Sequence, residues 1–204
     1  MTTVGVIIPT LDSARTQRSR LKSLRAQSHS FQVLVADNDL ADSTASISSP
    51  LADRVIVSRP ERFAQRISEA SVLTTALAGF VDSDMILAPQ AAAEVVSAVE
   101  SGADVAIVPE GTVGAGYPTW VRSFERSFCL GDDDVETAPL FTRSMFVRLG
   151  GFDEQLDAAE DWGLGIRSRE VAGVARTTAM IEHHEGRVTL LGACAAELRR
   201  GPSR

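Results

Sequence analysis

Three short clusters in this chain have residue types and spacings that could do chemistry. Asp82-Ser83-Asp84 sets two carboxylates two residues apart, and on an extended chain both point to one side. At ~4 Å and an effective dielectric near 20, two such charges repel by about 4 kcal/mol. The pair therefore needs a proton, a basic partner or a divalent cation. Hard oxygen ligands suit Mn²⁺ or Mg²⁺, and a cation there would also neutralise a diphosphate. Asp-x-Asp alone is a common loop sequence; its place directly after the apolar run Ala78 to Val81 gives it weight. His183-His184-Glu185 is the second metal candidate. Adjacent histidines on an extended chain point opposite ways, so at most one shares a site with Asp84. Glu160-Asp161 is the acid–base candidate. Either these acids only answer the dipole of a helix N-terminus, or Asp161 is a general base that deprotonates an acceptor hydroxyl.

The elements that must position these groups alternate between strand and helix. Val4 to Pro9 is a near-continuous apolar run, as expected of a strand buried on both faces. Asp12 or Ser13 can cap a helix that turns Ala14, Leu21 and Leu24 inward. Its outer face is read as basic: Arg15, Arg18, Arg20, Lys22 and Arg25. That stripe is a solvated face, with weak attraction to an anionic membrane as the sharper alternative. Phe31 to Ala36 predicts a second strand, ending at Asp37, and Arg54 to Ser58 a third. Ser58 and Glu61 have capping-box spacing, and Phe63, Ile67, Ala70, Leu73 and Leu77 follow at helical spacing. Ala78 to Val81 is a short strand, Pro89 to Glu100 a helix ended by Gly102, and Ala103 to Pro109 another apolar strand.

The second half is less regular. It predicts a glycine-rich loop over 111–118 and a helix over 118–130 with Trp120, Phe124 and Phe128 on one face. Asp132 to Asp134 is a loop, Pro139 to Thr142 is strand-like, and Gly150-Gly151-Phe152-Asp153 is a turn. A helix over 160–171 and a strand over 174–182 complete the pattern. Such alternation means an α/β sandwich on a mostly parallel sheet, with helices on both faces. Ligands then bind beyond the carboxyl ends of the strands. Asp37, Asp82 with Asp84, and His183 each follow an apolar strand.

Composition narrows the field. The chain has 204 residues, 44% hydrophobic and 23% charged, which is globular and long enough to bury a core without disulfides. Acidic residues number 27 against 20 basic, a net charge of −7. Stable nucleic acid binding is therefore not expected. Lys22 is the one lysine, a trait of base composition in a GC-rich genome more than of chemistry. Cys129 and Cys194 lack metal spacing and are read as reduced, partly buried thiols. No stretch reaches the ~20 apolar residues of a membrane span, and Met1 to Thr10 lacks the basic start of a signal peptide. A cytoplasmic protein is expected. Pro9-Thr10-Leu11-Asp12 after the first strand is neither a G-x-G-x-x-G nor a P-loop.

Together these residues resemble the family 2 glycosyltransferases of the GT-A fold, in the family's order and over nearly the whole chain. Val6-Ile7-Ile8-Pro9-Thr10 is similar to the opening strand. Leu21 to Gln27, then Phe31 to Asn38, are similar to the first helix and second strand. Phe80-Val81-Asp82-Ser83-Asp84 resembles the metal motif. Gly150 to Glu154, then Ala159-Glu160-Asp161-Trp162, resemble the acceptor-side turn and catalytic acids, and His183-His184-Glu185-Gly186 a His-x-Glu-Gly segment. The resemblance implies one GT-A domain over 1–204: a nucleotide-sugar half over 1–109, an acceptor half over 110–192, and a tail over 193–204.

It also implies roles. Asp37 would bind the nucleotide base in a pocket lined by Pro9 and Thr10. Asp82 would hold the ribose and border the metal. Asp84 and His183 would ligate Mn²⁺ or Mg²⁺ bridging the diphosphate. Asp161 would be the base, with Glu160 and Trp162 shaping the acceptor pocket. The activity implied is inverting transfer from a nucleoside diphosphate-sugar, UDP-sugar foremost, to a hydroxyl of a polysaccharide, lipid-linked glycan, protein or other acceptor.

There are departures. Asp39-Leu40-Ala41 replaces the usual Gly-Ser-Thr, and Arg66-Ile67-Ser68-Glu69 replaces Arg-Asn-x-Gly. Arg66 meets phosphate or pairs with Glu69 or Glu61. A partner, a homodimer mate or a peripheral membrane contact remains open for the acceptor side. Two rivals stand beside the enzyme reading: a non-catalytic nucleotide-sugar-binding scaffold, and a sugar-phosphate nucleotidyltransferase. The second expects a basic glycine-rich loop after the first strand, which this chain lacks.

Overall fold

The computed structural model describes residues 2–10, 13–37, 42–57, 73–82, 84–132, 136, 140–153 and 160–187, with backbone alone at 57, 160, 161 and 185–187. Strands β1 (Val4–Thr10), β2 (Phe31–Asp37), β3 (Arg54–Val57) and β4 (Leu77–Phe80) are mutually parallel in the order β3-β2-β1-β4. The sheet continues through β8 (Leu140–Thr142), β6 (Val105–Ile107) and β9 (Val174–Arg176), and only β8 runs antiparallel to its neighbours. Chain order reverses direction at β1, whose neighbours are β2 and β4. That reversal opens a crevice beyond the strands' carboxyl ends. A second sheet, β5-β10-β7, is built from β5 (Met85–Leu87), β7 (Glu110–Ala115) and β10 (Ile181–Arg187).

Alternation along each strand feeds two apolar layers. Val4, Val6, Ile8, Val33, Val35, Ala106 and Leu140 face one layer, with Leu21 and Leu24 of α1 (Ala14–Arg25) and Val95 and Val96 of α3 (Ala91–Glu100). Ile7, Leu34, Val105, Ile107 and Phe141 face the other, with Phe146 of α5 (Arg143–Arg148) and Leu164 of α6 (Glu160–Arg169). The helix over 118–130 is α4 (Tyr117–Ser127), and its Trp120 and Phe124 rings do share a face, stacked with centroids 5.7 Å apart. That face is exposed.

Several expectations need correction. Arg20 does not lie on the outer face of α1: it is fully buried beside Leu21 and Leu24. Ser13 does not cap α1 with its own side chain. Asp42, from the segment after β2, accepts the Ala14 amide (3.2 Å) and also holds Thr44, the first residue of α2 (Thr44–Ser48). Leu77 opens β4 and does not extend a helix. The 111–118 loop is mostly strand β7, because β10 supplies a ladder that its glycines could not predict. The strand over 174–182 is two strands in two sheets, β9 and β10. The turn at Gly150 and Gly151 stands, both at positive φ. The capping box at Ser58 and Glu61 and the residues Phe63, Ile67 and Ala70 lie outside the described residues. No helix among the described residues is long and apolar enough to cross a membrane.

Candidate active site

The site forms where parallel strands end. Thr10 and Asp37 are register partners at the ends of β1 and β2. Thr10 Oγ1 lies 3.1 Å from the Ala36 carbonyl and 3.0 Å from Asp37 Oδ1. Asp37 is 0% exposed, so its carboxylate is fixed at the crevice floor, with Pro9 buried beside it. The Val81 amide extends the β1–β4 ladder by donating to Ile7 O (3.1 Å). Asp82 therefore emerges at the same edge, half-buried. The Met85 amide then bonds back to Asp82 O (3.2 Å), so Asp82 and Asp84 flank a turn and not an extended strand.

The turn delivers Asp84 to β10. The His184 amide donates to Asp84 O (2.9 Å), and Met85 pairs with His183 in antiparallel register. This brings His183 Nδ1 to 3.4 Å from Asp84 Oδ2, although 99 residues separate them in sequence. His183 as a whole is 7% exposed. Its far nitrogen, Nε2, meets Glu110 Oε2 at 2.9 Å. Arg126 of α4 stands 3.6 Å behind Glu110. Burial alone would lower the pKa of His183, but the bonds to Asp84 and Glu110 and the Glu110 charge outweigh it. The pKa is raised to about 9. Burial would likewise raise Asp84, yet the His183 bond and charge hold its carboxyl below the usual range.

Arg20 and Glu110 are the site residues that the sequence reading missed. Arg20 lies one residue before Leu21 and four before Leu24, on the inward stripe of α1, and that spacing could have found it. Glu110 directly follows an apolar strand, as Asp37 and Asp82 do, so the strand-end rule reaches it too. Burial lowers the Arg20 pKa to about 9 against the opposing charges of Asp82 and Asp84.

Asp84 and His183 come together as expected, and so do Thr10 and Asp37. Glu160 and Asp161 open α6, and their side chains lie outside the described residues. Trp162 follows, 45% exposed. Arg66 lies outside the described residues. Among the described residues no three acidic, histidine or cysteine side chains form a metal cage. The donor chemistry still fits one divalent ion. Asp84 offers a carboxylate and His183 a nitrogen, and such ions commonly take one or two protein ligands, with phosphate and water completing the shell. Glu110 on Nε2 fixes the ring so that Nδ1 faces Asp84, the outer-shell arrangement typical of a liganding histidine.

Comparison with solved structures agrees with this architecture. S. aureus TarS matches with a TM-score of 0.69 at 20% identity, over 90% of this chain and 37% of that one. Shorter TarS structures, one in complex with UDP, match over 60% of their length, so this chain spans less than two thirds of those relatives. The mannosyltransferase PcManGT from Pyrobaculum calidifontis, in complex with GDP-Man and Mn²⁺, matches at 0.68 and 19% identity, over 97% of this chain and 60% of that one. Glucosyl-3-phosphoglycerate synthase from Mycobacterium tuberculosis, in complex with phosphoglyceric acid, matches at 0.65 and 16% identity, over 97% and 76%. Comparison with curated proteins gives no match. The likeness establishes the GT-A fold, and the family model for glycosyl transferase family 2 matches residues 5–154. This chain belongs to glycosyl transferase family 2.

Proposed function

We propose that this protein is a metal-dependent, inverting glycosyltransferase that moves a sugar from a nucleoside diphosphate-sugar, UDP-sugar foremost, to a hydroxyl acceptor. The observation that carries the reading is the meeting of Asp84 with His183 at the edge where Asp37 and Thr10 also end. In this reading Asp37, fixed by Thr10, binds the base, and Asp82 holds the ribose. Asp84 and His183 hold Mn²⁺ or Mg²⁺. Such an ion supplies Lewis-acid stabilisation of the leaving diphosphate. Asp161 takes the proton of the attacking hydroxyl, while Glu160 and Trp162 shape the acceptor pocket. Arg66 is assigned to the donor phosphates. We place the protein in the cytoplasm, where nucleotide sugars are available to it.

The test is a donor-hydrolysis screen over nucleotide sugars with Mn²⁺, which needs no known acceptor. Turnover of one donor that stops in EDTA is expected. Asp161→Asn should leave UDP binding intact and lower turnover by at least ~10²-fold. Hydrolysis that persists in EDTA would remove the metal from the reading, and wild-type turnover in the Asn variant would remove Asp161.

A further inference from the structure

One charged group beside the acid pair has no place in the roles above. Arg20 is 0% exposed, and none of its three guanidinium nitrogens has a hydrogen-bond partner among the described residues. A charge buried in this way is expensive unless something nearby answers it. Helix α1 packs on β5, and Arg20 and Asp84 line one cavity of about 190 Å³ between α1 and the small sheet, together with Thr16 and His184. The charges that favour the guanidinium are those of Asp82 and Asp84. Solvent does not screen Arg20, so its field reaches the acid pair at low effective dielectric.

We propose that Arg20 is a fixed internal counter-cation of the Asp82–Asp84 pair, which weakens divalent-ion binding in the absence of nucleotide and strengthens binding of the anionic nucleoside diphosphate. The inference rests on the metal assignment in the proposed function. A fixed positive charge opposes an arriving cation and attracts an arriving polyanion. The nucleotide-free site therefore has a reduced demand for metal, and the diphosphate restores that demand by adding its own negative charge. In this role Arg20 acts through its charge on the acid pair, as a positioning charge.

Two binding measurements on the full chain test this. Mn²⁺ is titrated without nucleotide by electron paramagnetic resonance, and UDP is titrated in EDTA by calorimetry. For Arg20→Met we expect Mn²⁺ to bind about tenfold or more tightly and metal-free UDP about tenfold or more weakly. Arg20→Lys should restore both values, and Arg20→Gln takes the place of the Met variant if that one does not fold. A change of both affinities in the same direction, or of neither, overturns the proposal, because a merely structural loss cannot move them oppositely. Asp84→Asn separates the two readings. Mn²⁺ binding that depends on Asp84 yet ignores Arg20 sinks only this inference, whereas Mn²⁺ binding indifferent to Asp84 sinks the metal assignment with it.

Discussion

At the scale of single residues, carboxylates do most of the positioning in this protein. Glu110 holds His183 by Nε2 and leaves Nδ1 toward Asp84. Removing such an outer-shell carboxylate typically costs ~10–100-fold in metal affinity. We expect Glu110→Gln to weaken Mn²⁺ binding in that range with UDP present, and Glu110→Asp to recover part of it. Unchanged affinity in the Gln variant would reduce Glu110 to a surface acid. Glu94 of α3 does similar work away from the site. It accepts the amides of Thr178 (2.6 Å) and Ala179 (3.0 Å) and the Thr178 hydroxyl, and so ties down the segment that leads into β10. The Ala179 bond is the largest cause that holds its pKa below the ordinary 4.5. A depressed carboxylate stabilises the fold above its unfolded pKa and loses that contribution as pH falls through the folded value. Glu94→Gln should therefore lower the urea midpoint modestly at neutral pH, since solvent screens much of the charge. Urea midpoints should converge with wild type as pH drops below 4.5. A gap that does not change with pH would mean that shape, not charge, matters there.

At the scale of elements, close approach explains what local propensity does not. Gly5 lies in the middle of β1, where a β-carbon would stand 2.4 Å from Thr75 Oγ1 and 2.7 Å from Leu73 Cδ2. Gly5→Ala should cost about 1–3 kcal/mol by overpacking, read as a lower urea midpoint; a neutral result would mean that Leu73 yields freely. The strands of the first half were legible because β1 and all of β2 but Gln32 are buried, which writes a near-continuous apolar run into the sequence. Asp84 and His183 were legible as types placed after apolar runs. Their meeting was expected from the family resemblance alone and not from local pattern, because it depends on the pairing of β5 with β10 across about half the chain. Strand β7 escaped for the same reason: Gly111 and Gly114 resemble a loop until β10 gives them a ladder. Arg20 escaped because charge was read ahead of position. Helix α5 escaped because it is six residues long, and its cap, Thr142 accepting from the Met145 amide, is also the last residue of β8.

At the scale of the whole molecule, the two halves that the resemblance implies, 1–109 and 110–192, share their sheets among the described residues. Strand β8 from the second half sits between β4 and β6 from the first, and β10 from the second half, with β7 on its other side, pairs with β5 from the first. Both apolar layers draw on the same strands, Val33 and Val35 facing one and Leu34 the other. Damage to one layer must then be felt by both, since a strand cannot leave one face alone. Leu164 is fully buried in α6, and Leu164→Ala should cost roughly 2–5 kcal/mol. Val35→Ala, on the opposite layer, should likewise lower stability. We expect far-UV and near-UV circular dichroism to report one shared midpoint for wild type and for each variant, moved as a whole. UDP with Mn²⁺ should raise that same midpoint by mass action, through a site that joins β1, β2 and β4 to β10. Two separated transitions, with only the earlier one moved by Leu164→Ala, would show that the halves fold apart despite their shared sheets, and would overturn the expectation of one domain.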